Sequence, residues 1–138
     1  MKNNIIIGIF SVILVGCFPI ETDNPTKAWK YWAGNEPPDE IQLIKGVYYQ
    51  SPHFSLEYEL FLNFKTEKKW FDDFVAYNNL ELDTIRNDWT RWTELPDWFK
   101  PNNDYLIYCK DQVDEFECSR YIFNPTIGNC YIYETVGM

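Results

Sequence analysis

From Phe54 to Phe64 every second side chain is apolar. Phe54, Leu56, Tyr58, Leu60, Leu62 and Phe64 fall on one side of an extended chain, and Ser55, Glu57, Glu59, Phe61 and Asn63 on the other. A period of two predicts a strand with one face in a core and the other half open to water. Ile41 to Tyr49, rich in β-branched and aromatic residues, predicts a strand before it, and Ser51-Pro52 signals the turn between them. The period then changes. Trp70, Phe71, Phe74, Val75 and Tyr77 recur at three- and four-residue spacings, which predicts a helix over 67–77 with an aromatic stripe, Thr66 as its cap and Asn78-Asn79 as its stop.

Leu82, Ile85, Trp89 and Trp92 permit a short helix capped by Asp83, after which Pro96 and Pro101 break any regular pattern and predict a long ordered loop. Three apolar runs follow, "DYLIYCK", "ECSRYIFN" and "NCYIYET", separated by polar residues 111–115 and by the turn at 125–129 with its Gly128. Short strands at such spacing predict an antiparallel meander. The expected fold class is α+β: a small antiparallel sheet of about five strands, one or two helices packed on one face, and a C-terminal three-strand meander.

The start of the chain has a different pattern. Lys2 and two asparagines precede residues 5–15, which carry no charge and only Gly8 and Ser11 among apolar side chains. A membrane-spanning helix needs roughly 20 apolar residues, whereas the core of an export signal needs about 7 to 15. The run ends in Leu14, Val15, Gly16 and Cys17. In charge, core length and this final tetrad, residues 1–17 resemble the bacterial lipoprotein signal. The resemblance implies cleavage before Cys17, lipid on the Cys17 sulfur and amino group, and a mature protein anchored to a membrane. In that family an Asp after the cysteine favours the inner membrane of a two-membrane cell; Phe18 here implies the outer one. The expected organisation is a signal peptide over 1–16, a lipidated N-terminus and tether over 17–38, and a single globular domain over 39–138.

The tether expectation rests on four prolines and the lack of a sustained period between Phe18 and Pro38. Twenty extended residues would reach roughly 70 Å from the lipid. Trp29 and Trp32 either pack back onto the domain or rest at the lipid headgroups beside Lys27 and Lys30.

Loss of the signal removes one of 12 basic residues, Lys2, and leaves 21 acidic ones. A surface so acidic repels phosphate backbones and steers basic proteins toward it, so nucleic acid is not an expected partner and a basic protein is. The same charge keeps a domain that is 19% aromatic in solution. Export would place Cys109, Cys118 and Cys130 where disulfides persist; a hairpin would set Cys109 opposite Cys118 and leave Cys130 over, and the alternative is three buried thiols. No metal site is expected, because the spacings lack a C-x2-C pair or a nearby histidine.

Candidate chemistry is sparse. The chain has one histidine, His53, at the expected turn, and no G-x-S-x-G, H-E-x-x-H or glycine-rich phosphate loop. Glu57 and Glu59 would share a strand face about 7 Å apart, a spacing compatible with the acid and base of sugar hydrolysis. Solvent faces of strands carry such acids routinely, so no catalytic residue is assigned. Trp89, Trp92 and Trp98 with Arg91 form either packed core or an anchor for a protein or sugar. The expected function is a non-enzymatic, lipid-anchored envelope protein, with no cofactor beyond its lipid, whose domain binds another protein as inhibitor or immunity proteins do. A structural accessory of an envelope complex and a glycan-binding or glycan-hydrolysing domain are the alternatives.

Overall fold

The computed structural model describes residues 18–52, 56–84, 90, 93–110 and 119–137. Those residues form seven strands and two helices: β1 (Ile20–Thr22), α1 (Pro25–Ala33), β2 (Gln42–Gln50), β3 (Tyr58–Lys65), α2 (Lys68–Tyr77), β4 (Glu81–Leu82), β5 (Leu106–Cys109), β6 (Arg120–Asn124) and β7 (Asn129–Val136). They make one antiparallel sheet in the order β1-β2-β3-β7-β6-β5-β4. The mixed class and the C-terminal meander β5-β6-β7 agree with expectation. The count of about five strands does not, because β1 and β4 add a very short strand at each edge.

The two helices share one face of the sheet. On β3 this face carries Leu60, Leu62 and Phe64, which oppose Glu134, Ile132 and Cys130 of β7. Phe71 of α2 stacks on Phe123 of β6 at a centroid distance of 4.4 Å, and Trp29 of α1 meets Phe64 edge to face at 5.7 Å. All these rings belong to one buried cluster. Its large fully buried members, Leu60, Leu62, Phe64, Phe71 and Ile132 among them, contribute roughly 1.5–3 kcal/mol each.

The opposite face is also covered, and here the expectation of a half-wet β3 is corrected. Phe61 and Asn63 are buried. Phe61 lies against Phe99 and Tyr133, and the segment 93–105 lays Leu95, Trp98, Phe99 and Tyr105 across β6 and β7 as a second cluster. Strand β3 sits near the middle of seven, with β2 and β7 on either side. A central strand with cover on both faces buries both sets of alternating side chains, whatever its sequence period.

The tether expectation is corrected over residues 20–33. Asn24 accepts the Lys27 backbone N–H at 3.0 Å, Pro25 takes the first helical position, and Gly34 at φ 74° closes α1 by donating to the Lys30 carbonyl. The proline that reads as a breaker in sequence is therefore a helix starter, its missing N–H being one that no helix uses there. Helix α1 lies directly on β2 because Gly46 offers no side chain beneath it. Trp29 and Trp32 pack onto the domain, as one of the two sequence readings had it.

Two capping expectations also change. Glu67, not Thr66, occupies the N-cap of α2; Thr66 is buried with its hydroxyl unpartnered among the described residues, and its N–H donates to the Gly128 carbonyl. Asp83 is buried too, 3.4 Å from Arg120 Nε. The helix expected after it, through Ile85, Trp89 and Trp92, lies on residues outside the described part. The stop at Asn78 does occur, with Asn79 at φ 52°.

Candidate functional site

Helices α1 and α2 run over the same sheet face and leave a cleft of about 470 Å³ between them. Helical spacing builds its walls. Trp29, Trp32 and Ala33 come from one side of α1, Trp70, Phe74 and Tyr77 from one side of α2, and Asn35 and Pro38 close the rim. The walls touch at their base, where Trp29 is 6.3 Å from Trp70 and Trp32 is 6.2 Å from Phe74 between ring centroids. Trp70 and Phe74 stack on each other within α2 at 5.4 Å and 11°. Tyr77 stands at the mouth, 87% exposed.

The floor is a carboxylate. Glu134 lies on β7 opposite Leu60, on the face whose other positions are apolar. Its Oε1 accepts from the Trp32 indole N–H at 3.0 Å and from the Tyr58 hydroxyl; its Oε2 accepts from the Tyr121 hydroxyl at 2.5 Å. Burial first, and then hydrogen bonding and charge from Glu134, push the Tyr58 hydroxyl well above its ordinary range; burial, then the negative charge of Glu134, do the same for Tyr121. Both phenols therefore remain donors at any physiological pH. Tyr58 is held in turn by stacking on Tyr48, which stacks on Tyr31 of α1.

All three of these donors are neutral. No Lys or Arg forms an ion pair with Glu134 among the described residues. A half-buried carboxylate with neutral partners leaves the cleft with negative potential that the described residues do not compensate.

The residues that the sequence offers as candidates for chemistry or binding lie elsewhere or outside the described part. Cys17, His53, Trp89, Arg91, Trp92 and Cys118 belong to the latter, and with them the expected lipid site, the 109–118 bridge and most of the tryptophan cluster. Trp98 packs against Phe99 over the opposite sheet face. Glu57 precedes β3 and accepts from Ser51 Oγ at 3.0 Å, whereas Glu59 accepts from Thr93 Oγ1 at 3.2 Å, and burial raises the Glu59 carboxyl above its ordinary range. The two acids are thus tied to separate segments, Glu57 to the β2–β3 turn and Glu59 to the loop cover. Cys109 and Cys130 are buried, and burial holds the Cys130 thiol well above its usual value. Among the described residues no three His, Cys, Asp or Glu side chains converge as metal ligands, and no helix is long and apolar enough to cross a membrane.

Sequence reasoning missed Glu134 altogether. The one signal available was that an acid interrupts the inward-facing positions Cys130 and Ile132 of an otherwise apolar strand. Comparison with family models, with curated proteins and with solved structures finds no match to this chain, and the chemistry of the cleft is therefore read from its own residues.

Proposed function

We propose that this chain is a lipid-anchored, non-enzymatic protein of the cell envelope whose domain captures another protein, in the manner of an inhibitor or immunity protein. The observation that carries the reading is the open aromatic cleft with a carboxylate floor. It is concave, built of rings that bury area at low entropic cost, and charged oppositely to a basic target. The acidic balance of the whole chain supports the same partner class, since it speeds capture of a cationic surface and weighs against nucleic acid. Lipid at Cys17 would place the binder at the bilayer, in the outer membrane of a two-membrane cell.

Two experiments test this. Labelling cells with a radioactive fatty acid should mark the wild-type chain and not Cys17→Ser. The full chain, solubilised in mild detergent and used as bait on envelope extract, should retain one dominant partner at low salt and release most of it at moderate salt. A retained set that ignores salt, or an empty eluate, would refute the binder reading.

A further inference from the structure

The hydrogen bonds on Glu134 say more about what enters the cleft. A carboxylate offers about four lone-pair positions, two on each oxygen. Oε1 has both occupied, by Trp32 and Tyr58, while Oε2 has one occupied, by Tyr121. Among the described residues a single acceptor position is left, on Oε2. The two-point grip of a guanidinium needs a free position on each oxygen, and Oε1 has none. A compact ammonium needs only one such position and is stabilised further beside aromatic rings, of which Trp70, Phe74 and Tyr77 line the cleft. We infer that the cleft between α1 and α2 takes the ammonium head of a lysine side chain, its methylene stem lying along the α2 rings and its N–H reaching Oε2 of Glu134. That the lysine belongs to a protein partner rests on the binder reading above and on the charge complementarity between an acidic chain and a basic surface.

Other features of the molecule carry less. The hollow beside Phe99, Lys100, Asn102 and Tyr105 combines one exposed cation with amides and points to no ligand class. The Asp83–Arg120 pair is closed within the fold, and Cys130 lies at the centre of the core.

The test uses the full chain in a maltoside detergent, which brings no cation of its own, and titrates Nα-acetyl-lysine amide while the indole N–H signals are followed by NMR. Saturable shifts are expected at Trp29, Trp32 and Trp70, and not at Trp98 on the opposite face. The Nε-acetylated probe, which has lost its charge, should produce none. Nα-acetyl-arginine amide should bind more weakly than the lysine probe. Glu134→Gln, which keeps the size and one acceptor oxygen, should weaken lysine binding about tenfold or more. Tyr77→Ala changes an exposed ring and should weaken binding with stability unchanged, so the outcome stays readable if Glu134→Gln impairs folding. Equal binding of the charged and acetylated probes, or of wild type and both variants, would overturn the assignment.

The envelope capture separates the two levels. A partner retained equally by wild type, Glu134→Gln and Tyr77→Ala overturns the lysine site and leaves the binder reading standing. Saturable probe binding with no captured partner overturns the protein source of the ammonium. A partner lost on both variants supports both.

Discussion

Substituting Gly46 by alanine should loosen the domain at the seat of α1. A Cβ built there would lie 2.8 Å from Pro25 Cα, 2.9 Å from Leu62 Cδ2 and 3.2 Å from Ala28 Cβ. Leu62 can turn its methyl away, but Pro25 Cα is backbone at the first residue of the helix. To restore an ordinary 3.4 Å contact, α1 must lift by about 0.6 Å, the difference from the 2.8 Å present. Overpacking of this kind costs about 1–3 kcal/mol, and a contact with backbone belongs in the upper half of that range. Alanine is intrinsically better than glycine inside a strand by roughly 0.5–1 kcal/mol, which acts in the opposite direction. The net expectation is a loss of about 1–2.5 kcal/mol. With a urea dependence of about 1–3 kcal/mol per molar for a small domain, the unfolding midpoint should fall by roughly 1 M. Tryptophan fluorescence and circular dichroism in urea measure this directly. Trp32 rides on the same helix, so its indole N–H signal should also move as its bond to Glu134 lengthens. An unchanged or raised midpoint would mean that α1 is not seated on Gly46, and the cleft built on that seating would fall with it.

Three further outcomes follow from the same structure. Asp83→Ala removes the partner of Arg120 where both side chains are only 5% exposed, and should cost about 3–5 kcal/mol in urea unfolding; a loss below about 1 kcal/mol would refute a buried pair. The Glu59 carboxyl is raised in the fold, so the folded state holds its proton more tightly than the unfolded one, and its contribution is present in acid and lost as pH rises through the folded value. Glu59→Gln should accordingly gain stability relative to wild type at pH 7, and the gain should vanish toward pH 4; a gain that grows in acid would reverse the sign argued here. Cys130, deep in the core, should resist iodoacetamide at pH 8 in the native protein and react once urea unfolds it, as peptide mapping would show; native-state labelling would contradict its burial.

What sequence could determine were elements whose periods are local. The two-residue alternation from Tyr58 to Phe64 and the helical stripe from Trp70 to Tyr77 are written in neighbouring positions, and both elements form there. The meander was legible for the same reason, since β5, β6 and β7 follow one another in the chain and pair in that order. Helix α1 was obscured because Pro25 and Gly34 signal breaks in isolation and signal a start and a stop only once a helix stands between them. Strand β1 was not legible at all: three residues acquire strand conformation only by pairing with Tyr48 to Gln50, some 28 residues further along the chain. The two-sided burial of β3 depends on β7 beside it and on the loop cover above, which the period of its own sequence cannot register. The cleft is the extreme case, assembled from three stretches around residues 29–38, 70–78 and 134. Composition determined that the chain is acidic and aromatic; only the tertiary structure decided that one carboxylate would stand among the rings with neutral donors and no counter-charge from the described residues. Charge and hydropathy belong to single residues, whereas a binding site is a property of distances between residues far apart in the chain.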